Sequence, residues 1–213
     1  MTKLLRVLSL TAAVAFVSPA YAVTNLVING DFSTPYYGGS WGDSPSGVSG
    51  WFNNSDTIEI GASGVYGLAP DNAVGQNLEV NANMSPSTVY QTINGLIVGD
   101  LYEIQFAYGG RVGNVGSQTY MTSSFGGTTL TTNSGSEGVW TDNTFFERAT
   151  ATSETLSFYG ATPFCQGTCG NEVTNVSVSA VPEAATWAMM ALGFASLGFA
   201  GYRRSAARSS ASF

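Results

Sequence analysis

Short runs in which apolar and polar residues alternate, punctuated by glycine, asparagine, serine or proline, recur through the middle of the chain. In the clearest, residues 101–108, Tyr102, Ile104, Phe106 and Tyr108 share one face and Glu103, Gln105 and Ala107 the other, which is the period of two of a half-buried strand. The same period predicts strands at Ile58 and Ile60 around Glu59, Leu78 and Val80 around Glu79, Val89 to Ile93, Leu156 and Phe158 around Ser157, and Val176 and Val178 around Ser177. No stretch between the two ends sustains a helical period, so the fold class expected is all-β, a sandwich of short strands. Gly38-Gly39, Gly109-Gly110 and Gly126-Gly127 mark turns or bulges. The threonine- and serine-rich segment 119–132 around the last of these pairs reads as an exposed hairpin. Nothing repeats at a fixed period, which argues against a solenoid.

The two ends break the pattern. Residues 1–22 place Lys3 and Arg6 ahead of an apolar run from Val7 to Val17 and end in small residues at Ala20 and Ala22, the arrangement of a signal peptide cleaved after Ala22. From Ala184 to Tyr202 no residue is charged. A helix of that length spans a bilayer core, so one carboxyl-terminal transmembrane helix is expected at about 184–202, with Trp187 and Tyr202 as interfacial anchors and Arg203, Arg204 and Arg208 beyond it on the cytoplasmic side. Three segments follow: residues 1–22, a β domain at 23–180, and a tail at 181–208. A domain of roughly 160 residues buries about two-thirds of its unfolded surface and needs no dense disulfide framework.

Charge narrows the partners. Between residues 23 and 180 stand two cations, Arg111 and Arg148, and thirteen carboxylates, giving 2 − 13 = −11. Nucleic acid and anionic lipid are disfavoured, because binding by counterion release needs a basic surface; neutral glycans or cations fit better. Histidine is absent, which excludes serine–histidine and cysteine–histidine mechanisms and the usual zinc centres. An enzyme would have to run on carboxylates.

The tail reads Val181-Pro182-Glu183-Ala184-Ala185-Thr186-Trp187-Ala188-Met189-Met190, then a glycine-bearing apolar run ending in Arg203-Arg204. This resembles the PEP-CTERM sorting signal of Gram-negative bacteria, with Ala184 in the second proline position. The resemblance implies recognition of Val181, Pro182, Glu183, Ala184, Arg203 and Arg204 by an exosortase-type membrane protease and an association with extracellular polysaccharide. The same tail is also known as an ice-binding-protein carboxyl-terminal domain, a label that does not by itself imply ice binding. Within the β domain, Asn25-Leu26-Val27-Ile28-Asn29-Gly30-Asp31-Phe32, Gly50-Trp51, and Tyr90-Gln91-Thr92-Ile93-Asn94-Gly95-Leu96 followed by Gly99, Tyr102 and Phe106 resemble the jelly-roll modules of the galactose-binding-like group. That resemblance implies a jelly-roll β-sandwich, with carbohydrate contact a common role of the group and a structural calcium near the mature start. Asp31 and Asp71 are the calcium candidates, although no Asp-x-Asp-x-Asp-Gly loop is present and Ser33 stands where related modules often have glutamate. No other cofactor is expected.

Candidate chemistry is sparse. Export puts Cys165 and Cys169, the only cysteines, in an oxidising compartment, where a short-loop disulfide is expected. Among Tyr36, Tyr37, Trp41, Trp51, Tyr66 and Trp140, rings in or beside loops, flat faces with polar rims suit a pyranose. Tyr36, Tyr37 and Trp41 are the better surface candidates, and Trp51 reads as core. Arg111 either clasps a sugar or carboxylate ligand or forms a structural ion pair with one of the many acids. The function expected is a non-enzymatic exported surface or matrix protein with weak glycan recognition. Two alternatives stand beside it. One is a carboxylate-only glycoside hydrolase drawing on Glu103, Asp142, Glu147 or Glu154, which needs two acids about 5–10 Å apart. The other is ice or surface adhesion through Thr128, Thr129, Thr131 and Thr132.

Overall fold

A computed structural model describes residues 24–44, 47–54, 57–62, 64–69, 75–80, 86–113, 120–133, 137–160, 170–182 and 184–209. The expected signal peptide, Asp71, Cys165, Cys169 and Glu183 lie outside the described residues. Eleven strands form: β1 (Trp41–Ser44), β2 (Phe52–Asn53), β3 (Ile58–Ala62), β4 (Gln76–Glu79), β5 (Ser87–Asn94), β6 (Leu101–Gly110), β7 (Met121–Phe125), β8 (Thr128–Asn133), β9 (Trp140–Arg148), β10 (Ser153–Gly160) and β11 (Asn171–Ala180). One helix follows, α1 (Ala184–Ser209). The strands pair antiparallel into two sheets, a six-stranded one in the order β1-β3-β4-β11-β6-β9 and a five-stranded one in the order β2-β5-β10-β7-β8. The all-β sandwich anticipated from the alternation is the fold that forms.

The inward faces make one core. Ile58, Ile60, Leu78, Ile104, Phe106, Val173 and Val178 come from the six-stranded sheet and Val89, Ile93, Met121, Phe125, Leu156 and Phe158 from the other. Trp51 is buried at the centre, its ring 5.4 Å from that of Phe32 and 6.0 Å from that of Phe158. Its indole N–H donates to the Asn29 carbonyl at 3.1 Å, the polar partner a buried tryptophan requires. The amino-terminal segment is tied to the last strand: Leu26 N–H donates to Val178 O and Val176 N–H to Gly30 O, at 2.8 and 2.9 Å. A side chain on Gly30 would overlap the Val176 carbonyl, so only glycine lets the segment lie this close.

Two regions depart from simple alternation. In β4 and the first part of β11 both faces are covered, so Glu79 and Glu172 are buried where a half-buried strand would point them at water. Strand β9 escaped the pattern reading because Trp140-Thr-Asp-Asn-Thr alternates weakly before Phe145, and its edge position asks little burial of it.

The strands belong to one compact unit, Val23–Val181, and Pro182 onward belongs to another. Helix α1 covers the expected span at 184–202, but among the described residues no helix is long and apolar enough to cross a membrane. Within α1 the side chains of residues 184–187, 189 and 204–209 lie outside the described set.

Candidate functional site: two opposed sheet faces and a sorting motif

The register of each sheet fixes what its outer face displays. Across the six-stranded sheet one row runs Asp43, Glu59, Glu79, Glu172, Gly109, Trp140, each residue opposite the next on the neighbouring strand. Adjacent strands lie about 4.8 Å apart, so four carboxylates stand side by side. The 64–69 loop lies over this row. The Tyr66 ring sits where a Gly61 side chain would be, and Leu68 does the same over Gly109. The loop is held by Val112 N–H to Tyr66 O at 3.0 Å and by Trp140 Nε1–H to Ala69 O at 2.7 Å.

Under this cover, the Tyr66 hydroxyl donates to Glu59, Asn77 Nδ2 donates to Glu172 Oε2 at 2.5 Å, and the Arg111 guanidinium reaches Glu79 Oε1 at 3.2 Å and Oε2 at 3.4 Å. Arg111 also stacks over the Tyr66 ring, 4.7 Å from its centroid. One guanidinium does not neutralise three carboxylates. Burial first, then the Glu59 charge and a hydrogen bond with Glu59, push Glu79 up to about 9 against the pull of Arg111. Burial and the Glu79 charge raise Glu172 well above the carboxylate range. Burial and the Glu172 charge likewise raise Tyr66. Glu79 is thus held protonated at neutral pH, and Glu172 is pushed in the same direction.

The five-stranded sheet presents the opposite chemistry. Its outer rows read Phe52, Tyr90, Ser157, Ser124, Thr129 and Thr88, Tyr159, Thr122, Thr132, with Thr92 opposite Thr155 beyond them. Thr122 and Thr132 hydroxyls meet at 3.2 Å and those of Ser124 and Ser157 at 2.7 Å. The Phe52 and Tyr90 rings lie 5.9 Å apart, with Phe52 and Tyr159 exposed. Glu154 is the only charged residue in these five strands. It is turned inward, where its Oε1 accepts from Thr150 N–H and Oγ1–H at 2.7 Å and from Ala151 N–H at 3.2 Å. The open face therefore carries hydroxyls and rings without charge.

The candidates read from sequence are not gathered into one site. Tyr36 is 69% exposed and Trp41 53%, Trp41 lying opposite Gly61 on the outer face of the six-stranded sheet. Tyr37 instead packs against the core, its ring where a Gly42 side chain would be. Arg111 is engaged by Glu79 and Tyr66, which favours the ion-pair reading over a ligand clasp. Tyr66, grouped with the loop aromatics, is buried. Asp31 Oδ1 accepts from Ser33 N–H at 3.1 Å within a local turn, and among the described residues no three acidic side chains are grouped to hold a metal ion. The hydrolase acids do not converge either. Glu103 stands opposite Phe146, four residues along β9 from Asp142, or about 13 Å at strand rise; Glu154 is saturated by its own loop. Sequence reasoning missed Phe52, Tyr90 and Tyr159, although Tyr90-Gln-Thr-Ile and Ser157-Phe-Tyr alternate ring and hydroxyl positions visibly.

In the tail, Val181 N–H donates to Leu101 O at 2.8 Å, extending the ladder between β11 and β6 by one residue. Ala184 is the first residue of α1, which also contains Arg204. Arg203 lies over the Phe199 ring at 5.9 Å.

Comparison with known proteins adds the following. Residues 180–204 match the PEP-CTERM protein-sorting motif. Nothing among the curated proteins matches the chain. Solved structures that it resembles include the enzymatically active domain of bacteriophage CBA120 tailspike protein 4, at 16% identity and a TM-score of 0.47 over 74% of this chain and 21% of that one. Another is the CBM22-1–GH10 pair of modules of Clostridium thermocellum xylanase 10B complexed with xylohexaose, at 14% identity and a TM-score of 0.46 over 68% of this chain and 29% of that one. A third is the CBM35 of Paenibacillus barcinonensis, at 17% identity and a TM-score of 0.41 over 67% of this chain and the whole of that one. The chain thus spans between a fifth and a third of the length of the first two. The motif at residues 180–204 marks the chain as one exported and sorted to the cell surface or the extracellular space.

Proposed function

We propose that this is an envelope protein, delivered by an exosortase-type protease acting at Pro182-Glu183, whose sandwich holds a neutral polysaccharide across the open face of its five-stranded sheet. The observation that carries the reading is the absence of charge from that face in a domain of net charge −11. A sugar chain offers apolar ring faces and hydroxyls. Phe52, Tyr90 and Tyr159 can cover the first, and the rows of threonine and serine can bond the second. Anionic polymers are repelled by the acidic remainder of the domain. No step of this reading needs a catalytic group.

Affinity electrophoresis of the exported protein through gels containing neutral or uronic-acid polysaccharides tests it. Neutral polymers should retard the protein and anionic ones should not. Phe52→Ala with Tyr159→Ala should abolish the retardation while leaving the circular dichroism unchanged. Equal mobility in every gel would refute glycan binding. Normal release of a tail carrying Pro182→Ala and Glu183→Ala, followed by intact mass, would refute sorting at that site.

A further inference from the structure

We infer, on the basis of the exosortase-type processing proposed above, that the turn between β5 and β6 is a docking surface for the sorting protease, which binds Ile97 and Val98 while it reads the tail. The matched motif begins at residue 180. Yet Ala180 is the last residue of β11, in register with Tyr102, and Val181 N–H is bonded to Leu101 O at 2.8 Å. The first two residues of the motif are therefore part of the sheet. Just upstream the strand is held on its other side too, where Leu26 N–H donates to Val178 O at 2.8 Å and Val178 N–H donates to Asn25 Oδ1 at 3.0 Å. No spacer separates this ladder from Pro182-Glu183, and two residues of chain reach at most about 7 Å. A protein domain of even 100 residues has a radius of gyration of about 13 Å. An enzyme acting at Pro182-Glu183 must therefore meet the end of the sheet from which Val181 leaves.

That end displays a braced apolar turn. Residues 97–100 are closed by Asp100 N–H to Ile97 O at 3.1 Å, with Gly99 at φ +93°, and Leu101, whose carbonyl holds Val181, comes next. Gly99 N–H donates to Ala149 O at 2.8 Å, Arg148 Nη1 to Gly99 O at 2.7 Å, and Ile97 N–H to the Tyr102 hydroxyl at 2.9 Å. Turns are ordinarily built from glycine, proline and small polar residues. This one holds Ile97 61% and Val98 58% exposed. Two aliphatic side chains kept in water offer a partner apolar area to bury, and a turn already fixed by its neighbours spares the ordering cost of binding. The protease fits better than lipid as the occupant. Only a reader of the motif is forced to this end by the length of the chain, and a domain of net charge −11 is repelled by anionic headgroups.

Pulse–chase of the full chain in cells that carry the protease, with tail removal followed by intact mass, tests this surface. Ile97→Asp with Val98→Asp should slow processing by about tenfold. Val139→Asp, at a similarly exposed apolar position beyond the opposite end of β9 from Arg148, should leave the rate unchanged. If the aspartates disturb the fold by circular dichroism, Ile97→Ser with Val98→Ser carries the same expectation. A flexible Gly-Ser spacer between Val181 and Pro182 should also slow processing, because it carries the motif away from the docking surface. A spacer that speeds processing would show that the sandwich merely obstructs the enzyme, and would overturn the inference. Wild-type rates in the Ile97 and Val98 variants would overturn it equally, while leaving sorting intact so long as Pro182→Ala with Glu183→Ala blocks tail removal. Tail removal that survives that last pair would instead refute sorting at the motif, and the docking surface with it. In cells lacking the protease, the aspartate variant should sediment with membranes as the wild type does. Its release there would assign Ile97 and Val98 to lipid, and the protease would lose its claim to them.

Discussion

Every strand of the six-stranded sheet carries at least one carboxylate, while the five strands of the other sheet carry Glu154 alone. Both sheets share one core, so the difference lies wholly in what their outer faces serve. On the acidic side the loop bearing Tyr66 and Leu68 covers the middle of the row, where Glu79 and Glu172 are buried beside Glu59, while Asp43 and Asp142 stay exposed. The neutral side is open. A sheet face that is merely solvated collects charges of both signs at little cost. A face cleared of them, and another where they are buried against each other, are both departures from that default, and departures of this kind gather at sites of function.

The largest effect expected from this contrast is an inverted response to pH. Glu79 has an ordinary value of 4.5 and is pushed up to about 9 in the fold, so between those values the folded state holds a proton that the unfolded chain has released. The associated stability is complete below pH 4.5 and is lost as pH rises toward 9, at a slope of up to about 1.4 kcal/mol per pH unit for one group. Raised Glu172 acts in the same direction. In chelator-containing buffer, denaturant midpoints should fall steadily from pH 5 to pH 9. Midpoints that rise over this window would mean that the row is ionised and that the covered face is an ordinary acidic one.

Glu154 provides the counterpart on the other sheet. Its carboxylate is bonded by Thr150 and Ala151, with no second acid pressing on it. Glu154→Ala strands those donors and should cost about 2 kcal/mol. Glu79→Gln, which removes the proton uptake that folding demands of Glu79 at this pH, should instead raise stability by about 1 kcal/mol at pH 8. Urea midpoints of the two variants at that pH discriminate between a glutamate that organises its surroundings and one that strains them. Equal losses would erase the distinction.

How much of this the sequence displays depends on the range over which each signal acts. The core strands were legible because Tyr102-Glu-Ile-Gln-Phe and Ile58-Glu-Ile alternate within a few residues, and alternation is a local property. Trp51 was readable as core, and residues 180–204 as a sorting motif, for the same reason. The acidic row was not legible. Glu59, Glu79 and Glu172 look like the solvent positions of half-buried strands, and only the order β3-β4-β11, together with a cover from residues 64–69, brings them together and buries them. Registers between distant strands are likewise what align Phe52 with Tyr90 and Tyr159 with Thr122. Arg111 was readable as one of two rare cations, yet its partner lies 32 residues away.

The smallest effect on stability belongs to the open face, and it is the sharpest test of why that face is neutral. Thr155 is exposed and lies opposite Thr92, next to the row that holds Tyr90 and Ser157. Thr155→Lys adds one cation to a domain that has two, so simple electrostatics would predict stability unchanged or slightly improved, within about 0.5 kcal/mol. If neutrality merely reflected chance composition, binding to neutral polysaccharide would be unchanged as well. If the face is cleared of charge because a sugar chain must lie flat on it, the lysine should obstruct that approach and bring a charge whose hydration is lost on contact. Retention on the neutral-polysaccharide gel should then fall by about tenfold, the cost of a charge desolvated within an interface. Thr155→Ser, which keeps the hydroxyl, should preserve it. Measuring melting and gel mobility on the same two variants separates the roles, because only a binding face loses retention while the fold beneath it is untouched.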